Sequence, residues 1–195
     1  MKMNLPNKLT LLRVALVPVF MVFAGFVHTD FGYGQTGFSP LMYALAGAVF
    51  ALASLTDFLD GYLARKNNLV TDFGKFADPL ADKMLTTAAL IYMVVDGVCS
   101  PVVLAAVLFR EFAVAGIRML AAAGQKVIAA NLWGKIKTVA QMLTILFYYF
   151  AAALAGPTEI GLVQLITQVL CWTVAVLTIL SGVIYIKDNL AVLKD

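Results

Sequence analysis

The chain has 195 residues, 62% of them hydrophobic and 13% charged, with a formal net charge of +3 and a mean hydropathy of +0.92. A soluble domain carries about 45–50% apolar residues, so there is too little polar material here to clothe a core that faces water. With no soluble domain to display a basic surface, the positive charge does not indicate nucleic acid; it suits anionic lipid or a phosphorylated substrate.

Six apolar stretches of about 20 residues or more follow in chain order, each long enough to cross a bilayer. They are 8–27, 41–65, 72–95, 101–123, 134–155 and 161–186. All are predicted to be helices, because lipid offers backbone groups no partners. Lys2, Lys8 and Arg13 precede an apolar run and so resemble the start of a signal peptide, but the run is long enough to span and no clear small-residue cleavage site follows. The segment 28–40 is a loop by its glycines and final proline, with His28 an ordinary surface residue. Its aromatics, with Phe26 and Tyr43, are expected at the outer interface. The second stretch opens in a small-residue run, "YALAGAVFALAS", suited to close helix packing.

The connections at 28–40, 96–100 and 156–160 contain no Lys or Arg; the basic residues lie at the termini, within spans, or around 66–71 and 124–133. By the positive-inside rule both termini and those two connections face the cytoplasm. Cys99 and Cys171 match no metal or redox spacing and are expected to be buried small apolar residues. The absence of repeats or linkers makes residues 1–195 a single transmembrane domain.

Four aspartates, Asp57, Asp60, Asp78 and Asp82, stand in this apolar chain. At 1.5 Å per residue the first two lie roughly 12 and 8 Å from the end of the second helix, and the last two roughly 11 and 16 Å into the third. A short connection makes these helices antiparallel neighbours, so the pairs reach similar depth. Asp57, Asp60, Gly61 and Ala64 share one face, and Gly74, Asp78 and Asp82 form one stripe. Pro79 either kinks the third helix or begins it with Asp78 as cap.

Two like charges 4 Å apart repel by about 4 kcal/mol at an effective dielectric of 20. Four carboxylates together therefore protonate or hold a cation. With no His or Cys beside them the donors are all oxygen, which favours Mg²⁺ or Mn²⁺, with Ca²⁺ possible. The alternatives are helix caps reaching water and an ion or proton pathway, since intramembrane acids also mark transporters. A non-catalytic lipid-binding scaffold is a third class.

The pattern Asp57-x-x-Asp60-Gly61-x-x-Ala64-Arg65, then eight residues, then Gly74-x-x-x-Asp78-x-x-x-Asp82 resembles the signature of the CDP-alcohol phosphotransferases, and all eight specified positions fit. "NLPNKLTLLRVALVPVF", "ADPLADKM", Arg110-Glu111 and "GKIKT" are in the style of the members that use glycerol 3-phosphate. The resemblance implies transfer of the phosphatidyl group of CDP-diacylglycerol to sn-glycerol 3-phosphate with release of CMP. Other members use inositol phosphate, serine or a lipid alcohol. It implies that Asp57, Asp60 and Asp78 hold metal, and that Asp82 is the general base and touches a second ion. By the same resemblance, Gly61, Ala64, Arg65, Thr71 and Gly74, with Asn7 and Thr10 of the first helix, would contact the CDP part together with Asp57. It further implies a homodimer in a bacterial inner membrane, with a metal-containing polar cavity open to the cytoplasm.

An anionic acceptor needs cations. The candidates are Arg110 and Arg118, eight residues apart on one face of the fourth helix, and Lys135 and Lys137 at the start of the fifth. Arg110 deep in an apolar helix is costly unless used or paired. Its structural alternative is a pair with Glu111 or an aspartate, and that of the lysines is an interfacial position.

Overall fold

The computed structural model describes residues 5–28, 39–66, 72–124, 128, 131–155 and 159–190; of residues 5–7, 28, 57–66, 72–79 and 82 it describes the backbone. Among the described residues there are six α-helices: α1 (Leu5–Gly25), α2 (Pro40–Lys66), α3 (Asp72–Val95), α4 (Pro101–Ala123), α5 (Leu132–Leu154) and α6 (Ile160–Asp188). One 3₁₀ turn, Phe26–His28, follows α1. No end departs from the sequence expectation by more than three residues, as Leu5 does from residue 8. α3 runs unbroken from Asp72, so Pro79 stands in its interior and does not begin it.

Among the described residues, three helical segments are long and apolar enough to cross a membrane by length and composition: Lys8–Gly25, Leu132–Leu154 and Ile160–Asp188. α6 shows what solvent the chain is built for. Its buried residues include Thr167, Cys171, Thr178 and Ser181, while Leu162, Leu165, Val169, Trp172, Val176 and Ile179 are exposed. Two of the buried hydroxyls bond to their own helix: Thr178 Oγ1 donates to the Val174 carbonyl at 2.6 Å and Ser181 Oγ to the Thr178 carbonyl at 3.0 Å. Polar residues inside and large apolar residues outside invert the pattern of a protein in water and fit a membrane protein.

The chain forms two compact units, Met1–Tyr92 with Ile145–Val163, and Met93–Thr144 with Gln164–Asp195. In the first, α1 packs along α2. The buried residues of α1, Thr10, Arg13, Val17, Phe20 and Ala24, recur at three and four, the spacing of a helix–helix seam. Phe20 meets Tyr149 edge-on at 5.4 Å between centroids, Phe50 at 6.1 Å and Tyr92 at 6.3 Å. The small-residue run of α2 serves this packing: a Cβ on Gly47 would lie 3.1 Å from Tyr149 Cβ.

Tyr43 departs from the expectation of an interfacial ring. It is 3% exposed, stacks edge-on with Tyr148 at 5.7 Å, and its hydroxyl lies 3.2 Å from that of Tyr148. A partner hydroxyl supplies the hydrogen bond that water would otherwise give, so the ring can be buried.

In the second unit, the turn between α3 and α4 is built locally. Gly97 takes φ 73°, a left-handed conformation natural to glycine. The amides of Val98 and Cys99 both donate to the Met93 carbonyl at 3.0 Å. Ser100 caps α4 by accepting from Val102 N at 3.3 Å, with Pro101 as the first helical residue. Asn131 caps α5 in the same way, its Oδ1 accepting from Gly134 N at 2.8 Å.

Candidate active site

The backbone of α2 is helical through Asp57 and Asp60, and that of α3 through Asp78 and Asp82. The spacings i, i+3 and i, i+4 therefore place each pair one turn apart on a single face of its helix. Gly61 and Ala64 continue the α2 face, and Gly74 precedes Asp78 on that of α3. The side chains of Asn7, Asp57, Asp60, Arg65, Asp78 and Asp82, and Thr71 altogether, lie outside the described residues. The donor chemistry, carboxylate oxygen throughout, fits a hard divalent cation.

α1 adds a residue that sequence reasoning passed over. Thr10 and Arg13 are each 1% exposed and lie one turn apart in the buried seam. Both are engaged in polar interactions. Arg13 reads in the sequence as one basic residue ahead of an apolar run, whereas the fold buries its guanidinium. A charge so placed is strongly disfavoured without an anionic partner. The signal available in the sequence was the three-and-four spacing running through Thr10, Arg13, Val17 and Phe20.

The second unit holds the four cations expected to meet an anionic acceptor. Arg110 and Lys137 converge on one carboxylate. Glu111 Oε1 accepts from Arg110 Nη1 at 3.1 Å and from Lys137 Nζ at 2.9 Å, with side-chain exposures of 11%, 2% and 22% for Arg110, Lys137 and Glu111. Lys137 is thus buried and not interfacial, while Lys135 is exposed. Two glycines confine Arg110. A Cβ on Gly182 would meet Arg110 Cγ at 3.1 Å, and one on Gly134 would meet Arg110 Nη2 and Asn131 Oδ1, each at 2.9 Å.

Arg110 Nε and Asn131 Nδ2 are both buried with no hydrogen-bond partner among the described residues. Two unspent donors beside the cations that meet on Glu111 are chemically suited to an anionic oxygen. Arg118 takes another environment: its Nε donates to Tyr185 Oη at 3.2 Å, with the guanidinium carbon 5.7 Å from the ring centroid. The sequence carried Arg110-Glu111 as a possible pair, but not Glu111 as the shared acid, nor Asn131 and the two glycines.

Residues 3–180 match the CDP-alcohol phosphatidyltransferase family. The chain belongs to that family. This phosphatidyltransferase is 43% identical over 194 residues to the CDP-diacylglycerol–glycerol-3-phosphate 3-phosphatidyltransferase of Bacillus subtilis, covering 98% of this chain and 97% of the relative. It is 35% identical over 184 residues to the protein of the same name from Rickettsia bellii, covering 94% of each. A match covering 98% of the chain spans the segments that carry the aspartates and those that carry the cations.

Proposed function

We propose that this phosphatidyltransferase transfers the phosphatidyl group of CDP-diacylglycerol to the primary hydroxyl of sn-glycerol 3-phosphate, giving phosphatidylglycerophosphate and CMP. The observation that carries the acceptor is the 43% identity to the Bacillus subtilis enzyme over 98% of the chain. It is supported by the cation pair on Glu111, with unspent donors on Arg110 and Asn131 suited to a phosphate oxygen.

The six helices cross a bacterial inner membrane, with both termini and a polar cavity beside the α2 and α3 carboxylates on the cytoplasmic side. Residues 1–195 form one domain of the family, acting as a homodimer. Asp57, Asp60, Asp78 and Asp82 would hold the divalent cation, Mg²⁺ or Mn²⁺. When bound, the ion neutralises diphosphate charge and the charge on departing CMP. Arg65 and Arg13 offer guanidinium donors to phosphate oxygens. Asn7, Thr10, Asp57, Gly61, Ala64, Thr71 and Gly74 line the place of the CDP group, the small residues allowing close approach.

Arg110, Arg118, Lys135 and Lys137 hold the acceptor phosphate, Lys137 chiefly by fixing Glu111. Asp82 takes the proton of the acceptor hydroxyl as its oxygen bonds to the phosphatidyl phosphorus and the bond from phosphorus to CMP breaks. The test is CMP release from labelled CDP-diacylglycerol by the purified enzyme, with glycerol 3-phosphate, inositol phosphate, serine or phosphatidylglycerol as acceptor. Release is expected with glycerol 3-phosphate and a divalent cation alone. Equal release with another acceptor overturns the substrate, and charge movement across vesicles without CDP-lipid favours a transporter.

A further inference from the structure

Cys99 and Cys171 are 72 positions apart in the sequence, yet the fold brings their thiols into a hydrogen bond. Both residues are free and buried, at 3% and 2% exposure. The surroundings explain the approach. The turn carrying Cys99 is tied to α6 by Gln168, whose Nε2 donates to the Gly97 carbonyl at 3.2 Å. Gln168 and Cys171 lie one turn apart on that same face of α6. The two thiols therefore sit side by side, one on a backbone turn and the other on a helix bonded to that turn.

A route to the pair exists. Cys99 lines a cavity of about 360 Å³ whose other walls include Gly97, Ser100, Gln168 and Trp172. The hydrogen bond from Cys171 holds the Cys99 thiol below its ordinary value, against the opposing effect of burial. That favours Cys99 as the first nucleophile. The connection at 96–100 carries no Lys or Arg, which places this turn on the side away from the cytoplasm, where thiols meet oxidants.

We infer that Cys99 and Cys171 form a disulfide-bonding site that reacts with a small disulfide oxidant and staples the α3–α4 turn to α6. The Cys99 thiolate attacks the oxidant's disulfide, forming a mixed disulfide and releasing one thiol. The Cys171 thiolate then attacks Cys99 Sγ, forming the intrachain bond and releasing the second thiol. The protein loses two protons and two electrons, and the oxidant is reduced to two thiols.

The experiment treats the full-length protein in lipid nanodiscs with 4,4′-dithiodipyridine, then denatures it and counts thiols with a maleimide mass tag. The wild type is expected to release about two equivalents of pyridinethione, keep no adduct and lose both tags, all reversed by a phosphine reductant. Cys99→Ser and Cys171→Ser are each expected to stop at a mixed adduct on the remaining thiol, or to keep that thiol free. A wild type that retains two taggable thiols, carries two adducts, or links between chains overturns the site.

Discussion

Replacing Glu111 by Gln tests the acid that two buried cations share. At an effective dielectric of 20, attraction at the observed 2.9 Å to Lys137 and 3.1 Å to Arg110 amounts to about 6 and about 5 kcal/mol respectively. Desolvation of the three groups cancels much of this in the intact cluster. Removing the acid leaves that desolvation in place without its compensation, a loss of about 3–5 kcal/mol for a buried pair. Glu111 is 22% exposed, so the lower end applies.

About 3 kcal/mol corresponds to a fall of roughly 6–12 °C in the unfolding midpoint for a chain of this size. The midpoint is readable from the fluorescence of Trp133 and Trp172 in nanodiscs. The double variant Glu111→Gln/Lys137→Met should lose less than the sum of the single losses, because both changes remove the same Glu111–Lys137 interaction. A Glu111→Gln protein melting within about 1 °C of wild type, with no coupling in the double variant, would refute this account of the cluster.

Gly182→Ala sets a Cβ 3.1 Å from Arg110 Cγ; it should raise KM for glycerol 3-phosphate several-fold while leaving CDP-lipid binding intact, as read by acceptor titration. Gly47→Val drives atoms into Tyr149 Cβ, where no flexible chain end can yield; a loss of about 1–3 kcal/mol is expected in thermal melts. Asp82→Asn should keep metal and CDP-lipid binding while turnover collapses, and equal loss of binding would make Asp82 a ligand instead. Arg13→Lys, which keeps the charge but not the planar fork, should cut CMP release at least tenfold with the melting point little changed.

Why some of this was legible and some not follows from range. Helix positions could be read because a bilayer forces apolar length and backbone self-satisfaction onto each stretch by itself. The one-face registers of Asp57 with Asp60, and of Asp78 with Asp82, needed only helical geometry. What escaped depends on partners far along the chain. Tyr43 looks interfacial until Tyr148 supplies its hydroxyl a mate, and Lys137 looks interfacial until Glu111 arrives from α4. Cys99 and Cys171 have no informative spacing because their meeting is made by a turn and a helix 72 residues apart. Arg13 was visible but misjudged, since a charge near the start of an apolar run reads equally well as a flank or as part of a seam.

α6 is fastened to its neighbours at well-separated points. Gln168 grips the Gly97 carbonyl, and about 25 Å away along the axis Tyr185 holds Arg118. The intervening hydroxyls of Thr178 and Ser181 are spent on their own backbone. The Cys171 thiol, one turn beyond Gln168, adds a further tie to the α3–α4 turn through Cys99. The angular setting of α6 depends on these fastenings together with its packing, so a change at Gln168 is expected to shift Tyr185 and the guanidinium it steadies.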